Sequence, residues 1–75
     1  MVNFIALLYN LSLEQGLPAP VYSPMVHPLP DQRAALCQYG RVSAVGSGRS
    51  VVEAKKDAAR NVWMRLGNVI ERDPR

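Results

Sequence analysis

From Asn3 to Gln15 apolar side chains recur at helical spacing. Phe4, Leu7, Leu8 and Leu11 fall on one stripe, and Ile5, Tyr9 and Leu13 form a second row at i, i+4, i+8. Asn3 is a capping residue and Gly16 a helix stop, so this segment predicts a first helix. A second row of this kind is either core in a two-sided environment or a surface for a partner. Gly16 to Pro20 then reads as a rigid extended connector, since each proline fixes its own φ and biases the residue before it away from helix.

The pattern next changes to strands. Val21 to Val26 predicts a first strand, and Pro24 within it argues for an edge position or an early end. His27 to Gln32 is a proline-rich polar loop. Arg33 to Gln38 and Arg41 to Val45 predict two further strands joined at Tyr39-Gly40 in a tight hairpin, with Gly46-Ser47-Gly48 as a flexible turn. Ser50-Val51-Val52-Glu53 has the form of a capping box, with the Ser50 hydroxyl on the amide of Glu53 and the Glu53 carboxylate reaching back. Ala54, Ala58, Ala59, Val62, Leu66 and Val69 follow on one broad face flanked by Trp63, predicting a helix to about Glu71 and a tail over 72–75.

Helix, three strands, helix is an α+β arrangement. Short connections make the strands an antiparallel meander, and both helices must bury their stripes on its one apolar face.

A length of 75 residues is one small domain, and 48% hydrophobic residues argue against wholesale disorder. Cys37 and His27 are each the sole residue of their type, so an internal disulfide and a Cys/His zinc cluster are excluded, and a reducing intracellular compartment is the natural expectation. The apolar opening segment lacks a basic leader and is interrupted by Asn3 and Asn10, which reads as a buried helix and not as a signal peptide or membrane span.

Charge is uneven. Residues 1–32 hold Glu14 and Asp31 and no lysine or arginine, a balance of −2. Residues 33–75 hold all nine basic residues against Glu53, Asp57, Glu71 and Asp73, a balance of +5. That half suits a polyanionic partner; the alternative is a solvated basic surface. Enzyme chemistry finds no support, for there is no nucleophile–histidine pair, no carboxylate cluster for metal and no phosphate-cradling loop that ends in lysine. No cofactor is implied, and Cys37 reads as a small buried hydrophobe.

Two stretches carry a resemblance. Gly46-Ser-Gly-Arg-Ser-Val-Val-Glu-Ala-Lys-Lys-Asp-Ala-Ala59 resembles the Gly-x-Gly-x-Ser-Lys-Lys-x-Ala-Lys-x-x-Ala-Ala signature of double-stranded-RNA-binding domains, and Gly16 to Tyr22 resembles their Gly-x-x-x-Pro-x-Tyr helix exit. The similarity spans roughly residues 4 to 66, within a domain over 1–71. It implies the family's α-β-β-β-α fold and a three-part contact with an A-form duplex, read through shape and 2′-hydroxyls, with a helix tip on the phosphates. It assigns Tyr9 and Asn10 to a minor groove, His27 to the loop contact, and Arg49, Lys55 and Lys56 to the tip. Lys55 lies close to the buried stripe by helical angle, which makes sense if the first turn overhangs the sheet; otherwise it is a snorkelling lysine.

The departure lies at Val51 and Val52, where the family has two lysines. Loss of those phosphate contacts weakens an RNA reading. Together with Ile5 and Leu13, the two valines instead suit a protein-interaction module of the same fold, homodimeric or docking on an RNA-processing helicase or nuclease.

Overall fold

The computed structural model describes residues 3–71 and the side chains of 3–67. The elements run α1 (Phe4–Gln15), β1 (Val21–Met25), β2 (Arg33–Tyr39), β3 (Val42–Gly48) and α2 (Val51–Glu71), the order expected. The tail over 72–75 and the Val69 side chain lie outside the described residues.

Helix α1 is closed at both ends by its own sequence. The Asn3 side-chain oxygen accepts from the amides of Ile5 and Ala6 at 3.1 and 3.3 Å. Gly16 takes a left-handed φ of 67°, and the amides of Gly16 and Leu17 donate to the carbonyls of Leu13 and Ser12. Leu8 is fully buried, with Phe4, Ile5 and Leu11 packed beside it. Ser12 is also buried, and its hydroxyl donates to the Tyr9 carbonyl, so no polar group is stranded there.

The three strands form one antiparallel sheet in the order β1-β2-β3. Tyr39 pairs with Val42 across the two-residue turn Gly40-Arg41, where Gly40 has φ 60° and Arg41 does not turn positive. A left-handed first central residue is the pattern of a type II′ hairpin. From that closing pair the ladder alternates, so Arg33, Ala35, Cys37 and Tyr39 bond to β3 while Ala34, Leu36 and Gln38 bond to β1. The same alternation turns the backbone of Pro24 outward on edge strand β1, where a missing N–H costs no ladder bond.

Strand β3 is longer than expected. Gly46, Ser47 and Gly48 are not a turn; they pair with Ala35, Ala34 and Arg33. The physical reason lies in α2. A Cβ on Gly46 would stand 2.1 Å from the Ala58 amide nitrogen and 2.6 Å from the Ala54 carbonyl oxygen, and one on Gly48 would stand 2.6 Å from the Glu53 Cβ. Helix backbone rests directly on strand backbone, and only residues without side chains fit beneath it.

Tyr22, Cys37, Tyr39, Val42, Ala44 and Gly46 share the covered face of the sheet. Ala58, Ala59 and Val62 of α2 pack on it, Leu8 of α1 joins the same core, and Gln15 accepts a hydrogen bond from the Tyr39 hydroxyl. Both helices therefore lie on one face. Tyr22 and Cys37 are direct partners across β1 and β2. Among the described residues the buried Tyr22 hydroxyl has no partner of good hydrogen-bond geometry. Burial pushes the ionisation of both groups up. A thiol held neutral in this way is an inert packing group.

Candidate functional site

Strand register decides which of the candidate residues meet. Met25 at the end of β1 stands in line with Ala34 and Ser47, so the loop over 26–32 emerges at the end of the sheet where β3 finishes and α2 begins. His27 and the group Arg49, Lys55 and Lys56 thus share one end of the molecule. The carboxyl end of α1 is tied to the opposite end, through Gln15 and Tyr39. Tyr9 and Asn10 are exposed on α1 and not part of the same cluster.

At the amino end of α2 the backbone is organised by three side chains. The Ser50 hydroxyl accepts from the Glu53 amide at 3.1 Å, as the capping box requires. The Glu53 carboxylate reaches one residue further back than that motif predicts, to the amide of Arg49 at 3.1 Å, and so orders the link out of β3. Asp57 accepts from the Ser47 amide at 3.0 Å. Ala54 donates to the Ser50 carbonyl, which leaves the amides of Val51 and Val52 as the first-turn donors without a partner among the described residues. Among the described residues, none of the hydrogen bonds at this end engages the Arg49, Lys55 or Lys56 side chain.

Arg49 and Lys56 are exposed and Lys55 is half-buried. Two carboxylates, Glu53 and Asp57, stand among these three cations, both turned to backbone amides. Val51 and Val52 are 39% and 58% exposed, so neither belongs to the core. Leu13 is 63% exposed and Tyr9 half-exposed, whereas Ile5 packs against the core; the second row of α1 is split between inside and outside.

The His27 ring accepts from the Leu29 amide through Nδ1 at 3.0 Å, which turns the head of the proline-rich loop. With Nδ1 occupied as acceptor, the remaining nitrogen of a neutral ring is a donor.

One residue of this end was not legible in the sequence. Arg33 is exposed and pairs with Gly48, which puts a fourth cation beside Arg49. The hairpin register would have revealed it, had Gly46 to Gly48 not read as a turn. Among the described residues there is no group of three or more histidine, cysteine, aspartate and glutamate side chains that could hold a metal ion. No described helix is long and apolar enough to cross a membrane. A comparison with protein-family models finds no match, and neither does one with curated protein sequences.

Proposed function

We propose that the chain is a double-stranded-RNA-binding domain that engages an A-form duplex independently of sequence and carries no catalytic chemistry of its own. The observation that carries this reading is the amino end of α2. Arg49 precedes and Lys55 and Lys56 follow two amides that have no partner among the described residues, and the glutamate and aspartate beside these cations are engaged by backbone. Such an end attracts phosphate through charge, dipole and free N–H donors together. His27 adds a ring nitrogen at the same end, suited to a 2′-hydroxyl. Tyr9 and Asn10 serve a separate minor-groove contact, as expected for a domain that spans more than one groove. The reading goes with an intracellular protein that accompanies an RNA-processing enzyme.

The test is a titration of blunt RNA duplex at two salt concentrations, with a DNA duplex of equal length alongside. RNA binds more tightly, and for each tenfold rise in salt affinity falls by about 0.9 logarithmic units per phosphate contacted, if the duplex-DNA scale applies. Lys55→Ala with Lys56→Ala lowers affinity and flattens the slope while the thermal midpoint stays in place. Affinity unmoved by that double change removes the α2 tip from the interface.

A second reading has its own observation. Val51 and Val52 stay exposed at the tip, and Tyr9 and Leu13 stay exposed on a helix whose only charged residue is Glu14. Uncharged apolar surface of this kind suits a protein partner. Self-association or helicase binding with no shift of an RNA duplex favours that reading.

A further inference from the structure

Strand β3 has a free edge, and α2 closes only part of it. Alternation from the hairpin turns the backbone of Ser43, Val45 and Ser47 away from β2. Asn61 donates to the Val45 carbonyl at 2.9 Å, and Asp57 accepts from the Ser47 amide at 3.0 Å. These two side chains, one helical turn apart, act as clamps that cover the half of the edge next to α2's amino end. Among the described residues no such clamp reaches the amide and carbonyl of Ser43 or the amide of Val45.

A cleft of about 630 Å³ opens at this point, lined by Leu36, Ser43 and Val45 from the sheet and by Asn61, Met64 and Arg65 from α2. Val45 and Met64 are 49% and 46% exposed and form its apolar walls. Among the described residues Arg65 is the one charged group lining it. Each feature selects a property of a ligand. Unpaired strand backbone selects an extended main chain. The apolar walls select an apolar side chain, and an exposed guanidinium selects a carboxylate.

We propose that this cleft docks a short extended peptide that adds to β3 at Ser43–Val45, with an apolar residue between Val45 and Met64 and an acidic residue on Arg65. Charge argues against a second copy as the occupant. Two β3 edges paired about Ser43 would bring Arg41 and Arg65 of both copies together, with no acidic residue among the described residues of the lining. The inference is independent of the RNA reading, since it uses the middle of α2 and not its tip.

The experiment is an NMR titration of the isotope-labelled full chain with a capped peptide of alternating valine and glutamate. The expected result is shift changes at Ser43, Ala44, Val45 and Met64 and slowed exchange of the Ser43 amide, with no binding by the same peptide carrying lysine for glutamate. Arg65→Glu weakens binding of the glutamate peptide by about tenfold, the worth of one charge-assisted bond, and admits the lysine peptide. Ser43→Pro removes an outward amide and no sheet bond, so it abolishes binding in a folded protein. Shift changes elsewhere, or none at millimolar peptide, overturn the proposal. So does a concentration-dependent change at these residues without peptide, which would name a second copy as the occupant. RNA titrations of Arg65→Glu keep the parent's affinity, so failure of one proposal is separable from failure of the other.

Discussion

The stretch from Gly46 to Ala59 contains two regions that look alike in sequence and differ in kind. In one, Gly46, Ala54 and Ala58 bring strand backbone against helix backbone, with no room for a single further carbon. In the other, Val51, Val52 and Lys56 are exposed, Val51 the least of the three, and Lys55 is only half covered. The first region is dictated by packing and would be needed whatever the domain binds. The second is free to vary without loss of the fold. Of the positions that carry the resemblance to RNA-binding domains, the glycines and alanines therefore argue for architecture. Only the tip argues for a ligand, and the tip is where this chain departs from the pattern.

The largest expected effect breaks the packed region. Gly46→Ala sets a methyl 2.1 Å from the Ala58 nitrogen, a backbone atom that cannot turn aside. Overpacking of this sort costs typically 1–3 kcal/mol, roughly, and more where backbone must move. A domain of this size holds a margin of about 3–5 kcal/mol. The variant is expected to be largely unfolded at physiological temperature, with a circular-dichroism melt broadened and shifted far down. A midpoint close to the parent's would show that α2 does not rest on β3 as described.

This contrast also explains what could be foreseen. Asn3, Gly16 and Ser50 are local signals whose effect is complete within one turn of helix, and each acts as expected. Alternation and punctuation sufficed for the order of elements. Gly46 to Gly48 misled because glycine is ambiguous in sequence: it serves turns through freedom of φ and close packing through the absence of a side chain. Which use applies depends on a helix several residues later in the chain. The clamps of Asp57 and Asn61 on β3, and the proximity of Arg33 to Arg49, depend on register in the same way. Tip chemistry was legible only as residue types, since exposure and the Glu53 bond to the Arg49 amide are features of the folded chain.

An intermediate effect sharpens the contrast from the other side. Val51→Lys with Val52→Lys adds two cations at exposed first-turn positions. They oppose the helix dipole, so the thermal midpoint drops a little, by the equivalent of about 0.3–1 kcal/mol per charge at most. Duplex-RNA affinity rises instead, and the salt slope steepens by nearly one unit for each new phosphate contact. Filter binding at several salt concentrations reads both quantities. Unchanged affinity and slope would mean that the tip does not face the duplex, and the exposed valines would then favour a protein partner.

The smallest effect separates two roles of one residue. Glu53 supports the fold, because its carboxylate accepts from the Arg49 amide and sits favourably in the first turn of α2. It opposes the proposed function, because it stands among the cations that would meet phosphate. Glu53→Gln keeps an oxygen that can still accept from that amide and removes only the charge. Stability should fall by roughly 0.3–1 kcal/mol, the worth of a carboxylate at a helix amino end. RNA affinity should move the opposite way and rise by a few fold, most visibly at low salt, where repulsion is least screened. A fall in both would mean that the charge matters to the interface through its hold on Arg49, and that the link between β3 and α2, not the bare field of the tip, positions the contact.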